Sequence, residues 1–193
     1  MVVRPVKASS LTLLCLRARL VRQMATKSTT SIVASVLVEP VPKIAFISGP
    51  LDPSPTYFQE HYARLIDEAL EQGHHFVLAT SRGIDTLARN YLLNHPTTPA
   101  AASRICLFLS EPEKKFRARY VAFEKAGGRI VIAGRNHTSR DEALTRASHY
   151  DILRYNTKEE CKALYGLKYR ERVSGTEKNE VRRATGIGLL WKE

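Results

Sequence analysis

From Lys43 onward, short apolar runs alternate with stretches of helical periodicity, the pattern of βαβ units that build a parallel sheet. A strand buried on both faces must be apolar at consecutive positions, and four such runs stand out: Ile44–Ile47, Phe76–Ala79, Ile105–Leu109 and Ile130–Ala133, with a fifth at Ile152–Tyr155. Between them lie helical stripes. Phe58, Tyr62, Leu65, Ile66 and Ala69 share one face of a helix that starts near Ser54-Pro55-Thr56 and stops at Gly73. Ile84, Leu87, Ala88, Tyr91 and Leu92 share a second, stopped by Asn94-His95-Pro96. A third helix opens on Ser110-Glu111-Pro112-Glu113, with Phe116, Tyr120 and Phe123 expected to face inward. Ser139-Arg140-Asp141-Glu142 is expected to cap a fourth, and Thr157–Glu160 a fifth that ends at Gly166. The fold expected is therefore α/β, an open, doubly wound, mainly parallel five-stranded sheet of Rossmann-like type, followed by a C-terminal tail helix.

Such sheets hold ligands at the carboxyl ends of their strands, which directs attention to three loops. After strand one come Ser48, Gly49 and Asp52; after strand two come Ser81, Arg82, Gly83 and Asp85; near the C-terminus stand Gly175 and Thr176, followed by Arg182. The second loop has the residue types a phosphate requires. Glycine lets backbone amides approach, the helix start offers positive partial charge, and an arginine adds a bidentate donor, with Asp85 placed to orient Arg82 or a ribose hydroxyl.

The stretch Phe76–Ala88, with Thr80-Ser81-Arg82-Gly83-Ile84-Asp85 at its centre, resembles the SRGID signature of the SLOG superfamily, which includes the DNA-processing protein A family and the LOG-type nucleotide phosphoribohydrolases. Phe46-Ile47-Ser48-Gly49-Pro50 is similar to the first strand of nucleoside 2-deoxyribosyltransferases, a related Rossmann-like group. The two matches cover about 50 residues of the first two βα units. They imply a nucleotide or nucleoside-phosphate ligand over the strand ends, and cleavage or transfer at an N-glycosidic bond. The LOG-type enzymes and deoxyribosyltransferases carry a glutamate three residues after a Gly-Thr pair. Here Gly175-Thr176 is followed by glutamates at 177 and 180, adjacent and one position late, so the resemblance implies Glu180 or Glu177 as the catalytic carboxylate. Two other functions fit the same residues. A nucleotide sensor would keep Arg82 and Gly83 without a carboxylate, and a nucleic-acid binder would use Lys114, Lys115, Arg117, Arg119, Arg170 and Arg172.

Charge sorts these readings by its distribution. The 193-residue chain has a formal net charge of +11. Residues 1–38 contain six Lys or Arg and no acid, leaving 24 bases against 19 acids elsewhere, an unremarkable excess for a folded domain. An acid-free, Arg-bearing and Ser/Thr-bearing leader has the composition of a mitochondrial transit peptide, so residues 1–38 are expected to be an address to the matrix or a disordered leader, with Met24 as a second start giving a cytosolic form. The domain is then 40–166, and 167–193 a basic extension that completes the site. The apolar run Leu11–Leu16 is broken by Arg17 and Arg19 and is too short to span a bilayer, so no membrane anchoring is expected. Cys15, Cys106 and Cys161 form no metal-binding pair, the six histidines are scattered, and His74-His75 is expected at the surface; neither a metal nor a cofactor is expected. Gly186-Ile187-Gly188 lacks the third glycine of a dinucleotide fingerprint. Self-association into a homo-oligomer is left open.

Overall fold

The computed structural model describes residues 41–186, so the expected leader and the last seven residues lie outside the described part. Five strands run in the order expected from the apolar runs: β1 (Ile44–Ser48), β2 (His75–Ala79), β3 (Ile105–Leu109), β4 (Arg129–Ile132) and β5 (Tyr150–Leu153). They form one sheet, β4-β3-β2-β1-β5, in which every pairing is parallel. β1 to β4 step outward one place at a time, and β5 then returns to the far side of β1.

Alternating side chains along the strands feed two cores. Ala45, Ile47, Phe76, Leu78, Ile105 and Leu107 point to one face. They are covered by α1 (Arg64–Glu71), which continues a π-helical turn at Gln59–Ala63, and by α2 (Ile84–Asn94). Tyr62, Ile66, Ile84, Ala88 and Leu92 from these helices are almost wholly buried, as their spacing requires; each large apolar side chain so buried contributes about 1.5–3 kcal/mol. On the other face Phe46, Val77, Ala79, Cys106 and Phe108 pack against Leu144 of α4 (His137–Arg146). Burial raises the pKa of the Cys106 thiol, which leaves it a packing residue.

Three expectations need correction. The segment after β3 is a 3-10 helix, Glu111–Tyr120, leading into the short α3 (Val121–Lys125), and none of its residues is buried. Phe116 is exposed between Lys115 and Arg119, whose charges lie 5.1 and 4.5 Å from its ring, whereas Tyr120 and Phe123 are partly buried and pack against the core as expected. The cap of α4 is Asn136, three residues before the expected Ser139. Asn136 Oδ1 accepts from the Ser139 amide at 3.0 Å while Ser139 Oγ accepts from the Asn136 amide at 3.2 Å. The fifth strand ends at Leu153, two residues earlier than expected, because the backbone of Arg154 is bonded elsewhere. The buried Tyr62 hydroxyl accepts from the Arg154 amide at 3.0 Å and lies 2.9 Å from the carbonyl oxygens of both Ser48 and Arg154, tying the ends of β1 and β5 together.

After β5 the chain forms α5 (Lys158–Tyr165), capped by Thr157 as expected, a 3-10 turn at Gly166–Lys168, and α6 (Gly175–Thr185), capped by Ser174. α6 is the expected tail helix. It packs on α4 and β5, and Arg183 anchors it: its guanidinium donates to both carboxylate oxygens of Asp151 at 2.8 and 3.0 Å and to the carbonyl and hydroxyl of Ser148.

Candidate functional site

Where strand order reverses, the loops after two neighbouring strands diverge and leave a crevice at their carboxyl ends. Here the reversal lies between β1 and β5. A cleft of about 1320 Å³ opens there, walled by 48–51 after β1, by 155–158 after β5, by the start of α4 and by the segment 168–179 that runs into α6.

The floor of the cleft is polar and closed. Arg140, at the start of α4, is only 4% exposed. Its Nη1 donates at 3.0 Å to both carboxylate oxygens of Glu113, its Nε and Nη2 donate to Asp141 Oδ1 at 3.1 and 2.9 Å, and Nη2 lies 3.5 Å from Ser81 Oγ. Burial opposes its charge, but Asp141 and Glu113 outweigh that and raise its pKa. Glu113 is held low: burial works against its charge, while the Ser110 amide and hydroxyl and the Arg140 guanidinium favour it. Asp85 is also buried, and burial pushes it up to about 7 from 3.8; the Arg140 charge and hydrogen bonds from Ser81 resist this, and the Asp141 charge adds to it. Burial raises Asp141 too, against the pull of Arg140, Arg182 and His137. Two neighbouring carboxyls in one cleft therefore hold protons at higher pH than free carboxyls do.

α6 closes the floor from above. Thr176 and Asn179 are buried; Asn179 Nδ2 donates to Ser48 Oγ at 3.4 Å, and Arg182 Nη1 donates to Asn179 Oδ1 at 2.6 Å. The rim is different in character. Lys168, Arg170 and Arg172 line it with Tyr155, Tyr165 and Tyr169. Lys158 is ion-paired with Glu171, and Arg170 donates to the carbonyls of Leu167 and Tyr169, but Lys168 and Arg172 face no acid among the described residues. Across the whole lining, seven Lys or Arg stand against four Asp or Glu, so the cleft favours an anion.

Ser48, Gly49, Ser81, Asp85, Gly175, Thr176, Glu177 and Arg182 are brought together in this cleft from segments up to 134 positions apart. Asp52, Arg82, Gly83 and Glu180 are not among its lining residues. Arg82 is 71% exposed at its side chain and donates to Asp52 at 3.0 Å, clasping the loops after β1 and β2 on the outside. Gly83 has a φ of +75°, and a Cβ there would stand 2.4 Å from the carbonyl oxygens of Pro50 and Leu51. The amide of Ile84 donates to the Pro50 carbonyl at 3.1 Å, so the start of α2 is stoppered by the β1 loop and offers no open phosphate cradle. Gly49 is required by packing, since a Cβ would fall 2.3 Å from the Tyr62 hydroxyl and 2.6 Å from the Ile84 side chain. Glu180 is exposed and accepts from the Tyr155 hydroxyl at 3.0 Å. Glu177 lines the cleft, yet its carboxylate accepts from the Ser174 amide at 3.2 Å as half of the α6 capping box.

Arg140, Asp141 and Asn179 line the cleft, and Glu113 holds Arg140 in place behind it; none of the four was marked as a site residue by the sequence. Arg140, Asp141 and Glu113 lie in segments read only as helix caps, and only the signal that α4 follows the outermost strand and returns to β1 could have marked them. No group of three or more His, Cys, Asp or Glu among the described residues could hold a metal ion. His74, expected at the surface, is partly buried with its Nδ1 2.7 Å from the Tyr150 hydroxyl. No described helix is long and apolar enough to cross a membrane. No family model matches the chain, and neither a curated protein nor a solved structure matches it.

Proposed function

We propose that this cleft binds a nucleotide or nucleoside phosphate and that the chain, as a SLOG-like protein, acts at the N-glycosidic bond of its ligand. The observation that carries the reading is the pairing, in one cleft at the sheet's reversal point, of a cationic rim bearing tyrosines with a floor of buried carboxyls. Phosphate oxygens need Lys168, Arg170 and Arg172; a base needs a ring to stack on, which Tyr165 or Tyr169 supplies; a sugar needs acceptors for its hydroxyls, which Asp85 and Asp141 supply. Breaking an N-glycosidic bond builds positive charge at the anomeric carbon and negative charge on the departing base. In this reading Asp141 stabilises the first and Asp85, partly protonated near neutral pH, donates a proton to the second, after which water bonds to the anomeric carbon and gives up a proton that restores Asp85, so that free base and sugar phosphate are the products. Asp85 and Asp141 thus replace Glu180 and Glu177 as the carboxyls on which chemistry depends.

The test is calorimetric titration of the full chain with nucleoside mono- and diphosphates, with chromatography for released base. Saturable binding is expected with at least one of them, weakened about tenfold or more in Arg170→Ala/Arg172→Ala, the scale of one lost charge-assisted hydrogen bond. Base release is expected to vanish in Asp85→Asn. Absence of binding across the panel refutes the reading. Binding without release leaves a nucleotide sensor, a reading favoured by the capping role of Glu177 and the exposure of Glu180.

A further inference from the structure

The cleft is larger than one nucleotide calls for, and its two halves have opposite chemistry. Sites that enclose a single drug-sized ligand occupy roughly 300–1,000 Å³; this one measures about 1320 Å³. The inner half cannot receive a phosphate well. Its deepest cation, Arg140, already gives Nη1 to Glu113 and Nε and Nη2 to Asp141. Arg182 gives Nη1 to Asn179 and faces the Asp141 charge. What remains at the floor is carboxyl oxygen on Asp85 and Asp141, hydroxyl on Ser48 and Thr176, and amide on Asn179, a set that matches several neutral hydroxyl groups held close together. The outer half is the reverse. Lys168 and Arg172 meet no acid among the described residues, and the guanidinium of Arg170 is bonded to backbone carbonyls alone. These three cations come from five consecutive residues, so they present charge at neighbouring positions, as two linked phosphates would require. Tyr165 and Tyr169 flank the same segment, and Tyr169 has the Lys162 ammonium 5.9 Å from its ring centre.

Resting on the nucleotide reading above, we propose that the ligand is a nucleoside diphosphate joined to a second sugar. Its base lies at Tyr165 and Tyr169, its own ribose lies beside Asp85 and Asp141, its diphosphate lies on Lys168, Arg170 and Arg172, and its second sugar fills the floor at Ser48, Thr176 and Asn179. Each part of the ligand then meets the half of the cleft whose chemistry it fits, and the excess volume is used. A nucleoside monophosphate would leave one half empty.

The experiment compares, by calorimetry on the full chain, ADP with ADP-ribose, GDP with GDP-mannose and UDP with UDP-glucose. At least one sugar conjugate is expected to bind about tenfold or more tightly than its parent diphosphate, the worth of one or two added hydrogen bonds. Ser48→Ala should erase most of that margin while changing diphosphate affinity by no more than about twofold, because its hydroxyl, which lines the floor beside Asn179, meets the second sugar alone. Arg170→Ala/Arg172→Ala should weaken diphosphate and conjugate by the same factor. If all three diphosphates bind as tightly as their conjugates, or if the full margin survives Ser48→Ala, the second-sugar site is refuted and simple nucleotide binding stands. If none of the six binds, the nucleotide reading falls with it.

Discussion

Asp85 makes a direct test of how the floor of the cleft is built. Its carboxyl is buried against Ser81, Arg140 and Asp141, and burial moves its pKa from 3.8 to about 7. The sign follows from proton counting. Between those two values the folded chain holds a proton on Asp85 that the unfolded chain has released, so folding stability falls as pH rises through this window and levels off above it. At about 1.4 kcal/mol for each pH unit, the full loss is on the order of 4 kcal/mol, an upper figure because the cleft floor can admit water. Asp85→Asn keeps the volume and one carbonyl acceptor but does not ionise. Urea unfolding of both proteins at pH 4.5 and pH 8 isolates the effect, since other titrating groups are shared and cancel in the difference. The variant should gain about 2–4 kcal/mol relative to the parent between the two conditions. Parallel stability profiles for the two proteins would refute the buried, charge-penalised carboxyl.

The remaining predictions follow from the same network and from the leader. Arg140→Ala takes the arginine from the largely buried Glu113 and Asp141, leaving Glu113 only its Ser110 bonds, and should cost about 3 kcal/mol in denaturant unfolding, whereas a cost under about 1 kcal/mol would show that the cluster is solvated. Arg82→Ala removes only an exposed pair with Asp52, so unfolding stability should change by less than about 1 kcal/mol and nucleotide affinity should be retained; loss of binding would restore the α2 cradle. Residues 1–38 fused to a fluorescent protein should carry it to mitochondria, and Arg17, Arg19 and Arg22 changed to Glu should leave it in the cytosol; a diffuse signal from the parent fusion would exclude the address.

Local chemistry was legible in the sequence and long-range chemistry was not. β3 was found residue for residue because Ile105–Leu109 is apolar throughout, as a central parallel strand must be. The first two helices announced most of their buried faces by spacing, but Leu87, expected on the inner stripe of α2, is exposed. The segment 111–120 departs from expectation because a sound capping box, Ser110 with Glu113, introduces a 3-10 helix on which Phe116 faces solvent and only Tyr120 reaches the core. The site shows the same division. Ser48, Ser81 and Asp85 could be placed at strand ends from topology alone, but the phosphate cradle drawn from Arg82 and Gly83 assumed an open helix start, and the backbone at Pro50 and Leu51 occupies it. Arg140 and Asn179 reach the cleft by way of the β1/β5 reversal and the docking of α6 through Arg183 and Asp151, contacts that no spacing encodes.

The central claim, that a nucleotide occupies the cleft between the β1 and β5 loops beneath α6, is tested most directly by amide hydrogen exchange of the full chain with and without a saturating nucleoside diphosphate. Protection should concentrate in 48–51, 155–158 and 168–179, the segments that wall the cleft. Unchanged exchange in those segments, with protection confined to 82–86 at the start of α2, would contradict it.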